Sequence, residues 1–311
     1  MTRKVKDYLA RASLDNLKLP DRKIILEFSG FSIKQSPNCL RDVTITEKDG
    51  TQVTIPHYQD DDEYNPGFPK CKYYLELKIG EINLFDFDEA QNRITWALNR
   101  LRLFKPGLLW GTLYGIYDPE DHPAGCYEFK RAHEEGPYPA HYRAGFDGYF
   151  VIEESEVNAL VNFVNGLENV NTDSFEVALR RFHLYFDRDL IQDRAIDLMV
   201  ALESMFSDDP EAIAYKIALR AAHLIELEPQ KRGCLFYFLK RAYKERNSVV
   251  HGRSESSWLE EKTYIPTQTN LDSLEEIVRK SLLTLLRNAQ NGIILKPSNL
   301  DGHLFFDQKS Q

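Results

Sequence analysis

The chain predicts an α+β protein in two parts: a mainly β domain with one helix over residues 1–165, then an all-α bundle over residues 172–311. Three observations carry that expectation. Short β-branched or aromatic runs punctuated by Gly, Pro and Asp fill the first half. Apolar residues at three- and four-residue spacing fill the second. A polar stretch from Asn165-Gly166 to Asp173 separates the two textures.

Taken in order, Ile24–Phe28, Val43–Thr46, Val53–Ile55 and Tyr73–Leu77 read as strands. Lys48-Asp49-Gly50 reads as the tip of a hairpin joining the second and third. Asp60–Glu63 with Asn65-Pro66-Gly67 is an expected loop. The period then changes: Ala90, Ile94, Ala97, Leu98 and Leu101 fall on one face of a helix over 87–103, which Pro106-Gly107 stops. Leu108–Tyr114 resumes as a strand, residues 118–148 are loop-rich, and Tyr149–Ile152 is a last short strand.

In the second half, Phe175, Leu179, Phe182 and Phe186 mark a first helix, and Ile196, Met199, Val200 and Met205 a second, with Asp193 as its expected N-cap. Asp208-Asp209-Pro210 separates it from a third carrying Ile213, Ile217, Ala221 and Leu224. After the break at Glu228-Pro229, the stripe Leu235, Phe238, Leu239, Ala242, Tyr243 and Val249-Val250 leads into His251-Gly252. A long last helix over 271–288 turns Leu274, Ile277, Val278, Leu282 and Leu285 inward. Four or more helices with short connections imply a bundle.

Composition narrows the function classes. No apolar run approaches the roughly 20 residues that span a bilayer. Residues 1–16 lack the apolar core of a signal peptide, so a cytoplasmic location without a membrane partner is expected. Four scattered cysteines, Cys39, Cys71, Cys126 and Cys234, fit neither a zinc ribbon nor a disulfide framework. His122, His133 and His141 are irregularly spaced in a Pro/Gly-rich segment, so no metal and no cofactor is assigned. The net charge of −9 is unevenly spread. Residues 216–253 hold nine Lys/Arg and three acids, a local +6 against −15 for the remainder. A basic island of this kind can supply phosphate affinity on an acidic protein.

That island ends in Arg246-Asn247-Ser248-Val249-Val250-His251-Gly252. An arginine offers phosphate a planar, permanently charged fork. A histidine exchanges protons near neutral pH. Residues five apart on a helix sit about 140° from each other, so the pair needs the last turn to unwind near Gly252 and swing His251 toward Arg246. Asn247 is positioned to orient the histidine or to bond the phosphate. Arg220, Lys244, Arg241 and Arg253 are candidate contacts for an RNA backbone. The plainer alternative makes His251 a helix C-terminal residue near free carbonyls and Arg246 a surface ion-pair former. Glu203 is an expected carboxylate partner for Arg220 or Arg246.

Several blocks together resemble a HEPN domain, specifically its ApeA-like branch. They are Arg180-Arg181-Phe182, Asp193–Leu198, Ala201–Phe206, Lys216–Ala222 and Leu239–Gly252, in that order over roughly residues 174–290. Leu101–Gly107 resembles, more weakly, part of the mainly β domain that precedes this HEPN type. The resemblance implies a bundle that dimerises so that two R-x4-6-H motifs face each other. It implies a metal-independent endoribonuclease, a toxin or anti-phage defence effector acting by abortive infection, with Arg246, His251 and Asn247 as catalytic residues. Its expected partners are RNA (tRNA or another structured RNA included), a second copy of the chain, and a phage-derived or nucleotide trigger. Some members have lost cleavage and serve as binding or dimerisation modules, so a non-catalytic module is the alternative.

Overall fold

A computed structural model describes residues 8–20, 25–37, 39–46, 52–58, 71–79, 87–118, 123–125, 150–252 and 257–306. The expected hairpin tip at Lys48-Asp49-Gly50, the loop at Asp60–Glu63, and His122, His133 and His141 lie outside these residues. The chain divides into two compact units between Glu168 and Asn169. The coarse α+β class is present: an antiparallel sheet unit comes first and a helical unit follows.

The first unit contains β1 (Tyr8–Asp15), β2 (Leu17–Lys18), β3 (Ile25–Glu27), β4 (Phe31–Gln35), β5 (Cys39–Thr46), β6 (Gln52–Tyr58) and β7 (Tyr73–Ile79). Helix α1 (Phe87–Phe104), β8 (Trp110–Tyr117), β9 (Pro123–Gly125), β10 (Phe150–Val151) and helix α2 (Val157–Gly166) complete it. The main sheet runs β3-β4-β7-β1-β8-β9 with antiparallel neighbours, β1 meeting β7 at Ala10↔Leu77 and β8 at Ala12↔Leu113. Strands β5 and β6 pair separately, with Val43 opposite Ile55.

Strand β1 has no counterpart in the sequence reading. Its two alanines have poor strand propensity, and a charged Arg11 stands between them. Yet Ala10, Ala12 and Leu14 are buried in the core, while Arg11 is only 2% exposed and bonds Glu76 at 2.9 Å. Lys34 reaches the other oxygen of Glu76 at 2.6 Å, and the Arg11 guanidinium lies 4.6 Å from the Tyr117 ring centre. Arg11 thus sits on the opposite face from Ala10, Ala12 and Leu14, and that face is buried too, through an ion pair.

Helix α1 buries Ala90, Ile94, Ala97, Leu98 and Leu101, the face that its periodicity indicates. A fully buried Leu or Ile contributes about 1.5–3 kcal/mol of apolar transfer. At its end Arg102 donates from Nε and Nη2 to the Leu109 carbonyl at 2.9 and 2.7 Å, tying the helix to the start of β8. Gly107, at φ 141°, makes that turn. The expectation of one helix in this unit is corrected by α2, whose Val157, Leu160 and Val164 join the same core. Phe104 and Phe163 meet at 5.6 Å, and Lys105 bonds Glu156 at 2.6 Å. A ten-residue amphipathic segment beside the polar boundary gave too few turns to separate it from the bundle.

The second unit contains α3 (Glu176–Asp187), α4 (Ile191–Phe206), α5 (Ile213–Ile225), α6 (Pro229–Val250), α7 (Asn270–Gln290) and the short α8 (Pro297–Asp301). Asp193 falls inside the first turn of α4, whose N-cap is Leu190, so the expected cap sits three residues too late. Buried Asp197 instead receives Arg181 at 2.8 Å and Arg188 at 2.7 Å, locking α3 to α4. Pro229 opens α6 at the first helical position, where its missing N–H costs nothing. Thr269 caps α7: its hydroxyl accepts from the Asp272 amide at 3.1 Å, and the Asp272 carboxylate accepts from the Thr269 amide at 3.3 Å. Helix α7 then buries Leu271, Leu274, Ile277, Val278, Leu282, Leu285 and Leu286 at the centre of the bundle.

Candidate functional site

The C-terminal end of α6 gathers most of the expected site. The helix runs without unwinding to Val250: the His251 amide still donates to the Asn247 carbonyl at 3.0 Å, with φ −89° and ψ 9°. Gly252 then turns left-handed at φ 64° and donates to the Val249 carbonyl at 3.0 Å, a glycine stop of the usual kind. The expected unwinding of the last turn is therefore absent, and Arg246 and His251 keep the roughly 140° separation of an intact helix.

Arg246 turns toward α4. Its Nη2 meets Glu203 at 3.4 Å and its Nη1 donates to the Asn247 side-chain oxygen at 3.0 Å. Of the two arginines expected to pair with Glu203, it is Arg246 that does so. The pairing is loose, since 3.4 Å is long for a charge-assisted bond. The buried Nε finds no acceptor among the described residues. The Tyr243 ring centre lies 5.8 Å from this guanidinium. Burial, and then the negative charge of Glu203, raise the Tyr243 phenol above its usual value, while the positive charge of Arg246 and a hydrogen bond with Asn247 pull the other way.

On the other side of Asn247, a shallow cleft of about 390 Å³ is lined by Ala214, Lys240, Tyr243, Lys244, Asn247, Ser248 and His251. Its charged lining is cationic, with Lys240 and Lys244 both exposed. Asn247 is the link, lining the cleft while accepting from Arg246. Among the described residues no hydrogen bond joins Arg246 directly to His251.

The remaining expected contacts disperse. Arg241 lies on a different face of α6 and is engaged by Glu245 at 2.5 Å. Arg253 lies outside the described residues. Arg220 is buried and occupied elsewhere. Its Nε and Nη2 grip Asp301 at 2.7 and 2.8 Å, and its Nη1 donates to the Phe206 carbonyl at 2.7 Å and to Asp208 at 3.3 Å. The bonds to Asp301 hold its guanidinium even more firmly protonated than usual. This geometry gives Arg220 a packing role in place of the expected phosphate contact. Conversely, Lys240, Tyr243 and Ser248 belong to the cleft. Tyr243 had been placed in the apolar stripe, although its position one turn before Asn247 puts it on the cleft side.

The arrangement offers a proton-exchanging imidazole, an amide and two ammonium groups around a cleft, with a guanidinium one residue behind. That set suits an anionic, hydrogen-bonding ligand. Compared with known proteins, the chain matches no family model, no curated protein and no solved structure at a significant level.

Proposed function

We propose that the helical unit is a HEPN-type, metal-independent endoribonuclease of the ApeA-like branch, acting in the cytoplasm as a homodimer in anti-phage defence. The observation that supports this best is the cationic cleft at the end of α6, where His251 and Asn247 stand beside Lys240 and Lys244 with Arg246 held just behind. In this reading His251 removes the proton of an RNA 2′-hydroxyl as general base. The 2′-oxygen attacks the adjacent phosphorus, and the bond to the leaving 5′-oxygen breaks. His251 of a second copy protonates that oxygen, since one imidazole cannot serve both ends at once. Arg246 offsets the charge on the pentavalent intermediate, exchanging its loose Glu203 partner for phosphate oxygens. The products are a 2′,3′-cyclic phosphate and a 5′-hydroxyl. The first unit would respond to a phage-derived or nucleotide trigger.

One observation favours a second reading, a non-catalytic module that binds RNA, a nucleotide or a partner protein. Arg246 is turned to Glu203 and stands well round the helix from His251. The deciding experiment incubates total RNA in EDTA with wild type, Arg246→Ala and His251→Ala, and maps the product ends. Cyclic-phosphate ends from wild type that fall by about 10²–10⁴-fold in either variant are expected. Cleavage at the wild-type rate in both variants removes the motif from the mechanism.

A further inference from the structure

We propose that Tyr215, Phe236 and Tyr237 form a base-stacking platform that continues the His251 cleft and selects unpaired RNA over duplex. The inference rests on the ribonuclease reading and names its substrate class. On α6, Phe236, Lys240, Tyr243, Asn247 and His251 recur at steps of three and four residues, so they share one face. That face is about 22 Å long at 1.5 Å per residue. It lies away from Leu235, Leu239 and Ala242, which fill the core.

The aromatic end of this face is open. Tyr215 is 50% exposed and Tyr237 72% exposed. The rings are held edge to face, Tyr215 to Phe236 at 5.6 Å and Phe236 to Tyr237 at 5.4 Å, so neighbouring rings present faces in different directions. The Lys240 ammonium lies 5.6 Å from the Phe236 ring centre and also lines the cleft, which makes platform and cleft continuous. Tyr215 follows directly on Ala214, another cleft residue.

Charge decides what covers these rings. A dry protein interface is depleted of lysine at its core, whereas this surface has Lys240 among its aromatics and Lys244 one turn further along. Aromatic rings interleaved with cations suit a single strand, whose bases expose their faces for stacking while its phosphates meet the ammonium groups. In an A-form duplex the base faces are hidden, and the backbone and 2′-hydroxyls are what a protein touches. The platform therefore supplies nothing to duplex RNA beyond the lysines.

The test measures fluorescence anisotropy of the full chain carrying His251→Ala, which leaves the RNA uncut, with a short labelled RNA as single strand and as duplex. Adding Tyr237→Ala or Tyr215→Ala is expected to weaken single-strand binding about tenfold each, the scale of one lost base stack. Tyr237→Phe keeps the ring and is expected to bind as the parent, and duplex binding stays unchanged in all of them. Unchanged single-strand affinity in both alanine variants overturns the platform and leaves the ribonuclease reading standing. So does an equal loss on duplex, or a change in assembly mass by light scattering with Tyr237→Ala, which would make the face a contact between copies. Absence of RNA binding by the parent, together with absence of cyclic-phosphate product from wild type, overturns both.

Discussion

Two arginines of the same basic segment, Arg220 and Arg246, stand in opposite situations. Around Arg220 the protein supplies a bidentate carboxylate, a main-chain carbonyl and a second carboxylate, all within 3.3 Å. Around Arg246 the described residues supply one amide oxygen at 3.0 Å and one carboxylate at 3.4 Å, and none of them accepts from Nε. The first is a guanidinium bonded at all three nitrogens, joining α5 to α8 and to the end of α4. The second is under-satisfied, half a step from a cationic cleft. Charge alone does not make a residue available to a ligand; the number and quality of its existing bonds does.

The sharpest way to break this contrast is to truncate both. Arg220→Ala is expected to cost about 3 kcal/mol, because it leaves the buried Phe206 carbonyl and the Asp301 carboxylate without their donors. Arg246→Ala is expected to cost under about 1 kcal/mol, since its one ion pair among the described residues is long and partly exposed. Urea denaturation of the two variants measures the difference. Equal losses would erase the distinction and return Arg246 to an ordinary ion-pair role.

A buried carboxylate on α7 gives a second contrast, with its partner also at a long distance. Buried Glu275 on α7 has one ion-pair contact among the described residues, Arg279 at 3.3 Å, and burial pushes its pKa up from 4.5 to about 7. The folded protein therefore holds this proton more tightly than the unfolded chain does. The resulting stability is full below about pH 4.5 and is lost as pH rises to about 7, a contribution of about 3 kcal/mol at most. Carboxylates with lowered values, such as Asp301, act in the opposite sense but below their ordinary value of 3.8, outside this window. Asp15, which burial lifts to about 6, acts in the same sense, so urea midpoints at pH 5 and pH 8 are expected to fall with rising pH, and Glu275→Gln to reduce that fall.

The smallest effect is conformational. Ala212, which precedes α5 and the platform residue Tyr215, sits at φ 51° in the left-handed region. Ala212→Gly is expected to stabilise the protein by about 0.5 kcal/mol, the relief of Cβ strain less the entropy of glycine. A matched pair of thermal melts would show it.

Much of the architecture was legible where periodicity and burial agree. The apolar face of α1 and the long α7 follow directly from spacings of three and four, because those side chains have no task except packing. Strand β1 was not legible, because only Leu14 among its buried residues is a large apolar one; the others are two alanines and an arginine whose partner, Glu76, lies 65 positions away. The candidate site divides in the same way. Asn247, Lys244 and His251 were found through local spacing and meet at one cleft. Arg220 was misread because its principal partner, Asp301, is 81 residues distant, and a sequence window does not contain such a bond. Tyr243 was assigned by hydropathy alone, although its hydroxyl faces the polar side.

Gly252 separates volume from chirality. An added Cβ there would meet nothing within 4 Å among the described residues, yet its φ of 64° is one that L residues resist. Space is free at this position and handedness is not. A semisynthetic chain with D-alanine at position 252 should accept the turn that L-alanine strains, although the two side chains have the same size and polarity. The turn at Gly252 thus depends on a backbone unit without handedness, and among the described residues no side chain crowds it.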